Sequence, residues 1–221
     1  MARGPAPTSG YTAADFRRRI RHREPYDRVL VVCEGITEKH YFDGLVFFLG
    51  LSSANIRIIP SRRTDPIDVV RFGIKLAKDA QRSSDAYQRL YCVFDLDRPH
   101  TNALDLAAAT KLRLTSLHLA TSNPCFELWL RLHLGYTDRA FTAVGNNTAC
   151  DAVCDELCRQ EPRYKKGAEG LFRLFEAQVS SAVSNGRRLE ASNHRTGSSN
   201  PSCTVHELVQ DLMNLKAGNL T

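Results

Sequence analysis

Two short apolar runs in this chain stop abruptly at acid. The first is Arg28-Val29-Leu30-Val31-Val32-Cys33-Glu34-Gly35-Ile36-Thr37-Glu38, and the second is Leu90-Tyr91-Cys92-Val93-Phe94-Asp95-Leu96-Asp97-Arg98. If the two runs are neighbouring parallel strands, Glu34, Glu38, Asp95 and Asp97 converge at one edge of a sheet. Four clustered carboxylates cannot all stay ionised without a cation among them. A hard divalent ion, Mg²⁺ or Mn²⁺, with waters and substrate phosphate completing its shell, is the simplest remedy. Asp95 and Asp97 flank Leu96 and face the same side if extended geometry persists. Glu38 falls in the first turn of the following helix, and Gly35 permits a tight turn after Glu34.

The elements that must position these acids alternate between strand and helix from Arg28 onward. Residues 29–33 are apolar on both faces, as a central parallel strand is. A helix is expected over 37–49, with Phe42, Leu45, Val46 and Leu49 on one stripe. A second strand covers 56–59. Asp65-Pro66-Ile67-Asp68 then opens a helix with a capping acid, a first-turn proline and a further acid to meet the dipole. A third strand is read over 90–94, a helix over 104–112 and a fourth strand over 116–120. Asn123-Pro124 begins a helix whose apolar face is Phe126, Trp129, Leu130 and Leu134. Helical periodicity returns over 148–158, 167–183 and 204–216, whereas 184–202 reads as a polar, basic loop.

For the acids of strands one and three to share a metal, those strands must be adjacent. Right-handed crossovers then give a parallel sheet of order 2-1-3-4, with a crevice at the carboxyl ends of strands one and three. The expected fold class is α/β: a four-stranded parallel sheet flanked by helices. Residues 1–27 form a basic flexible arm, 28–136 the α/β domain and 137–221 a helical C-terminal extension.

A chain of 221 residues with 43% hydrophobic content suits one such domain and a small extension. It has no apolar run of 18 residues and no signal-peptide core, so a cytoplasmic protein without a membrane partner is expected. Seven cysteines, an odd number, do not describe a disulfide framework. Cys150, Cys154 and Cys158 share one helical face. A soft-metal site there would lack a nearby histidine, and small buried helix residues are expected instead.

The net charge of +6 is concentrated in clusters: Arg17 to Arg23, Arg62 with Arg63, Arg163 with Lys165 and Lys166, and Arg187, Arg188 and Arg195. Beside an acidic metal site such clusters suit a polyanion whose phosphates need steering, which makes DNA or RNA the expected partner. Lys165, Lys166, Arg62 and Arg63 are the candidate phosphate-binding residues.

The strand-Glu-Gly turn followed by strand-Asp-x-Asp resembles the Toprim fold, shared by topoisomerases, primases and several nucleases. More narrowly, an ordered set of five segments resembles the RloB-like family over about residues 28–215. These are Cys33-Glu34-Gly35-Ile36-Thr37-Glu38-Lys39, Phe94-Asp95-Leu96-Asp97, Ser122-Asn123-Pro124-Cys125-Phe126-Glu127-Leu128-Trp129-Leu130, Tyr164-Lys165-Lys166 and Asn200-Pro201-Ser202. The resemblance implies a Toprim-like Rossmannoid fold and a Mg²⁺- or Mn²⁺-dependent nuclease. It makes Glu34 the general base or acid and Asp95 and Asp97 metal ligands. Glu38 matches the second acid of the nuclease branch of the fold, such as the OLD-type enzymes. RloB-like proteins are encoded in bacterial restriction and phage-defence loci, often beside an ATPase, which implies an antiphage effector with an ATPase as a candidate partner. Arg98-Pro99-His100 lacks the third acid that some Toprim enzymes place there. A second metal therefore leans on Glu38 or on Glu127, and Glu127 has a competing reading as an exposed helix glutamate.

Two other functions fit parts of the pattern. Val93-Phe94-Asp95-Leu96-Asp97 also looks like the nucleophile motif of haloacid-dehalogenase phosphatases, with Asp95 attacking phosphate. Arg98-Pro99 departs from that motif, and the Glu34 segment is left unexplained by it. A non-catalytic module that binds nucleic acid or an ATPase would use the same basic face.

Overall fold

The computed structural model describes residues 27–63, 65–97 and 101–218. Every residue of strand β1 (Val29–Cys33) is buried, and its side chains alternate between two cores. β2 (Ile56–Pro60), β3 (Arg89–Asp95) and β4 (Ser116–Asn123) join it in parallel, and β5 (Ser202–Cys203) adds antiparallel to β4. The order is β2-β1-β3-β4-β5. The expected order of the four parallel strands is observed, with one short strand added at the β4 edge. Two residues are too few to carry an alternation, so β5 left no periodic signal in the sequence.

Leu30, Val32, Leu90, Cys92 and Phe94 face helices α2 (Pro66–Arg82) and α3 (Thr101–Ala109). α2 begins as its sequence dictates: Asp65 Oδ1 accepts the Ile67 N–H at 3.0 Å, and proline occupies the first turn. Val29, Val31, Cys33, Tyr91 and Val93 face the other way, against α1 (Ile36–Leu49) and α4 (Glu127–His133). The same core takes in α5 (Ala149–Gln160), α6 (Val179–Thr196) and α7 (Val205–Gly218). Trp129 and His133 lie inside it, with Tyr41 Oη 3.0 Å from His133 Nε2. No helix among the described residues is long and apolar enough to cross a membrane.

The segment 184–202, expected as a loop, is mostly helix α6. Its buried stripe is Val179, Ala182, Val183, Gly186, Leu189 and Ser192. Ala182, Gly186 and Ser192 are too small to register as an apolar period. Their smallness is what the packing uses: a Cβ on Gly186 would lie 2.7 Å from His206 Cβ on α7. Residues 167–183, expected as one helix, instead begin irregularly. Gly167 and Gly170 both take φ of +71°, and two short 3₁₀ turns, Leu171–Leu174 and Glu176–Gln178, precede α6. Cys158, expected to be buried, is exposed near the end of α5. The expected N-terminal arm lies outside the described residues except for Asp27, which pairs with Arg89 at 2.6 Å.

Candidate metal centre

The sheet register brings the two acidic strand ends together. Cys33 pairs with Val93, and the next residue, Glu34, donates its N–H to the Val93 carbonyl at 2.9 Å. Glu34 Oε2 in turn accepts the Asp95 N–H at 3.1 Å. Glu38 stands in the first turn of α1. It is buried, and its Oε2 has no hydrogen-bond partner. Gly35 does not serve the turn, as the sequence suggested: its φ of −126° and ψ of −172° are extended backbone that any residue adopts. It serves the acid instead, because a Cβ there would lie 2.9 Å from Glu38 Oε2.

Burial raises the Glu38 carboxyl to about 7, the neighbouring Glu127 and Glu34 charges add to the rise, and a backbone N–H and Lys166 oppose it. Asp95 is also held well above the usual carboxylate range, by desolvation and by the Glu38, Glu34 and Glu127 charges. Asp95 keeps part of its surface in solvent, so the like charges matter beside the burial. Acids in this condition favour a bound proton or a bound cation.

Glu127 closes the site from α4. Only 1% of it is exposed, which overturns the exposed-helix reading. The reason is two partners from a distant segment: Tyr164 Oη donates to Glu127 Oε1 at 2.9 Å, and Lys166 Nζ lies 3.1 Å from the same oxygen. Burial works against the Lys166 charge, but Glu127 outweighs it and holds the ammonium above its ordinary range. Lys166 is therefore part of the acidic site, in a turn between α5 and the 3₁₀ segments.

Asp97 is exposed just beyond β3. Arg62 and Arg63 are exposed beyond β2, on the same sheet edge as Glu34, since the Ser61 N–H donates to the Cys33 carbonyl at 2.7 Å. Lys165 is exposed beside Lys166. Asn123 is taken up by the chain itself, donating from Nδ2 to the Ser199 carbonyl at 2.6 Å. Arg98-Pro99-His100 and the Arg17 to Arg23 cluster lie outside the described residues.

Sequence reasoning missed one grouping. The thiols of Cys125, Cys150 and Cys154 and a Glu127 oxygen all lie within 4.8 Å of one another. The helical spacing had suggested Cys158 as the third thiol, and Cys125 takes that place. The available signal was Cys125 standing two residues before Glu127. A second group of donors able to hold a metal, Glu190, His206 and Glu207, lies where α6 meets α7.

Among known protein families, a model described as RloB-like protein matches residues 29–212, from the start of β1 into α7. No curated protein and no solved structure matches the chain.

Proposed function

The chain belongs to the RloB-like family, and from that premise we propose that it is a metal-dependent nuclease. It hydrolyses phosphodiester bonds of DNA or RNA as an effector of antiphage defence, with an ATPase as its partner protein. The observation that carries this reading is Glu38. A buried carboxyl with an orphaned oxygen, raised to about 7 beside Glu34, Asp95 and Glu127, is a costly arrangement that a cation relieves.

The donors are carboxylate oxygens, which suit Mg²⁺ or Mn²⁺ better than a soft ion. Asp95, Asp97 and Glu38 would hold it, with Glu127 bordering them. When bound, the ion stabilises charge developing on the phosphoryl oxygens. Glu34 is the proton-transfer residue. One of its oxygens accepts the Asp95 N–H, which holds the carboxylate beside Asp95. Lys165, Lys166, Arg62 and Arg63 would receive substrate phosphates.

The phosphatase alternative gives no role to Glu34 or Glu38, which crowd Asp95 in the fold. The experiment offers plasmid, single-stranded DNA, tRNA and p-nitrophenyl phosphate to the purified chain with Mg²⁺ or Mn²⁺, alone and with a candidate ATPase partner. The nuclease reading expects metal-dependent cleavage of nucleic acid that both Glu34→Gln and Asp95→Asn abolish. Monoester hydrolysis indifferent to Glu34→Gln would replace it with the phosphatase. Salt-sensitive binding with no cleavage in any combination would leave only a binding module.

A further inference from the structure

Cys125 immediately precedes α4, while Cys150 and Cys154 sit one turn apart at the start of α5. Nothing in the nuclease chemistry uses these thiols, yet the fold brings them to one point. Cys150 Sγ and Cys154 Sγ are 4.0 Å apart, Cys125 Sγ lies 4.0 Å from the Cys150 carbonyl, and a Glu127 oxygen completes a group of four donors. Tetrahedral zinc, with Zn–S bonds of about 2.3 Å, separates its sulfurs by roughly 3.8 Å. The Cys150–Cys154 pair is already close to that spacing.

The surroundings match as well. Cys125 and Glu127 are buried, and Cys150 and Cys154 are half-buried, so the point is shielded without being sealed. Three thiolates and a carboxylate exceed a divalent ion by two negative charges, and the Lys166 ammonium stands 3.1 Å from Glu127 to offset one of them. The Tyr164 hydroxyl engages Glu127 Oε1 from outside the group, which orients the carboxylate as an outer-shell partner does. The start of α5 is capped reciprocally by Thr148 and Asp151, which fixes the turn that carries Cys150.

We propose that Cys125, Cys150, Cys154 and Glu127 form a closed site for a soft divalent cation of the zinc class, joining α4 to α5 beside the carboxylate centre. Four protein ligands leave no open position, so the role is structural. The assignment stands apart from the nuclease reading, because the thiols are not used there. Glu127 borders both sites.

The test uses the full chain, reduced, stripped with a chelator and titrated with cobalt(II) and then zinc(II). The expected result is a thiolate-to-cobalt charge-transfer absorption with tetrahedral ligand-field bands, displaced by one equivalent of zinc per chain. Cys154→Ser or Cys150→Ser weakens zinc binding by more than about a hundredfold, beyond the loss that removing an outer-shell partner brings. Cys158→Ser and Glu34→Gln retain it. Cys125 is buried and its variant could fail to fold, so the half-buried Cys150 and Cys154 carry the test, with circular dichroism confirming the fold. A folded, reduced wild-type chain without the charge-transfer band would overturn the assignment. So would a band that survives the Cys150→Ser/Cys154→Ser double variant, or one lost equally in Cys158→Ser.

Discussion

The backbone N–H of Asp95 donates to Glu34 Oε2 at 3.1 Å, joining two acids 61 residues apart in sequence. The contact exists because β1 and β3 are adjacent and in register, so the residue after one strand meets the last residue of the other. It fixes one oxygen of the residue proposed to move a proton, and it sets that residue against the strongest candidate metal ligand.

Glu38 makes the fold depend on pH in a definite direction. Its carboxyl rises from 4.5 in the unfolded chain to about 7 in the fold. Below pH 4.5 both states keep the proton and nothing is lost. Between 4.5 and 7 the unfolded chain releases it and the fold does not, so stability falls as pH rises, by about 3 kcal/mol once the window is crossed. Metal-free Glu38→Gln is expected to be more stable than wild type at pH 8 and equal to it near pH 4. Urea denaturation at the two pH values checks this, and an equal gain at both would contradict it.

His133 works in the opposite sense. Burial lowers its imidazole from 6.5 to about 4, between the Tyr41 hydroxyl and the Trp129 carbonyl. As pH falls from 6.5 to 4 the unfolded chain gains a proton that the fold refuses, so stability declines by about 3 kcal/mol. His133→Gln is expected to flatten that decline. The two windows overlap between pH 4.5 and 6.5 with opposite slopes. The single variants, measured by denaturation across that range, therefore reveal what the wild type conceals.

Gly35→Ala separates site from scaffold. The backbone there accepts any residue, and the new methyl meets only the tip of the Glu38 side chain. Thermal stability is expected to change by less than about 1 kcal/mol, while metal-dependent cleavage falls sharply because Glu38 is displaced. Unchanged cleavage would show that the position of Glu38 is immaterial.

Gly186→Ala tests the α6–α7 contact. Its Cβ would lie 2.7 Å from His206 Cβ, against side-chain atoms at the base of a buried residue rather than a flexible tip. The overpacking is expected to destabilise the chain by about 1–3 kcal/mol, read as a lowered urea midpoint with an unchanged slope.

What the sequence made legible follows from periodicity. β1 and β3 are continuous apolar runs that end in acid, and their adjacency was legible only on the condition that those acids share a metal; the register supplies it, and Glu34 meets Asp95. Glu127 could not be placed inside, because the groups that hold it, Tyr164 and Lys166, come from an irregular turn with no period to place it. The part of α6 beyond residue 183 was hidden for a different reason: Gly186 and Ser192 interrupt its buried stripe and leave Leu189 as the one large apolar residue there. Cys125 escaped the cysteine grouping because helical spacing relates only residues on one helix, and it approaches α5 from another segment.

The proposed nuclease chemistry requires that the carboxylates around Asp95 hold a hard cation. Mn²⁺ binding to the purified chain, followed by electron paramagnetic resonance across pH, tests it without requiring the substrate or the partner. Binding is expected to strengthen as pH rises through about 7, when Glu38 gives up its proton, and to be abolished by Asp95→Asn. Absence of Mn²⁺ binding at pH 8, or binding indifferent to Asp95→Asn, would contradict it.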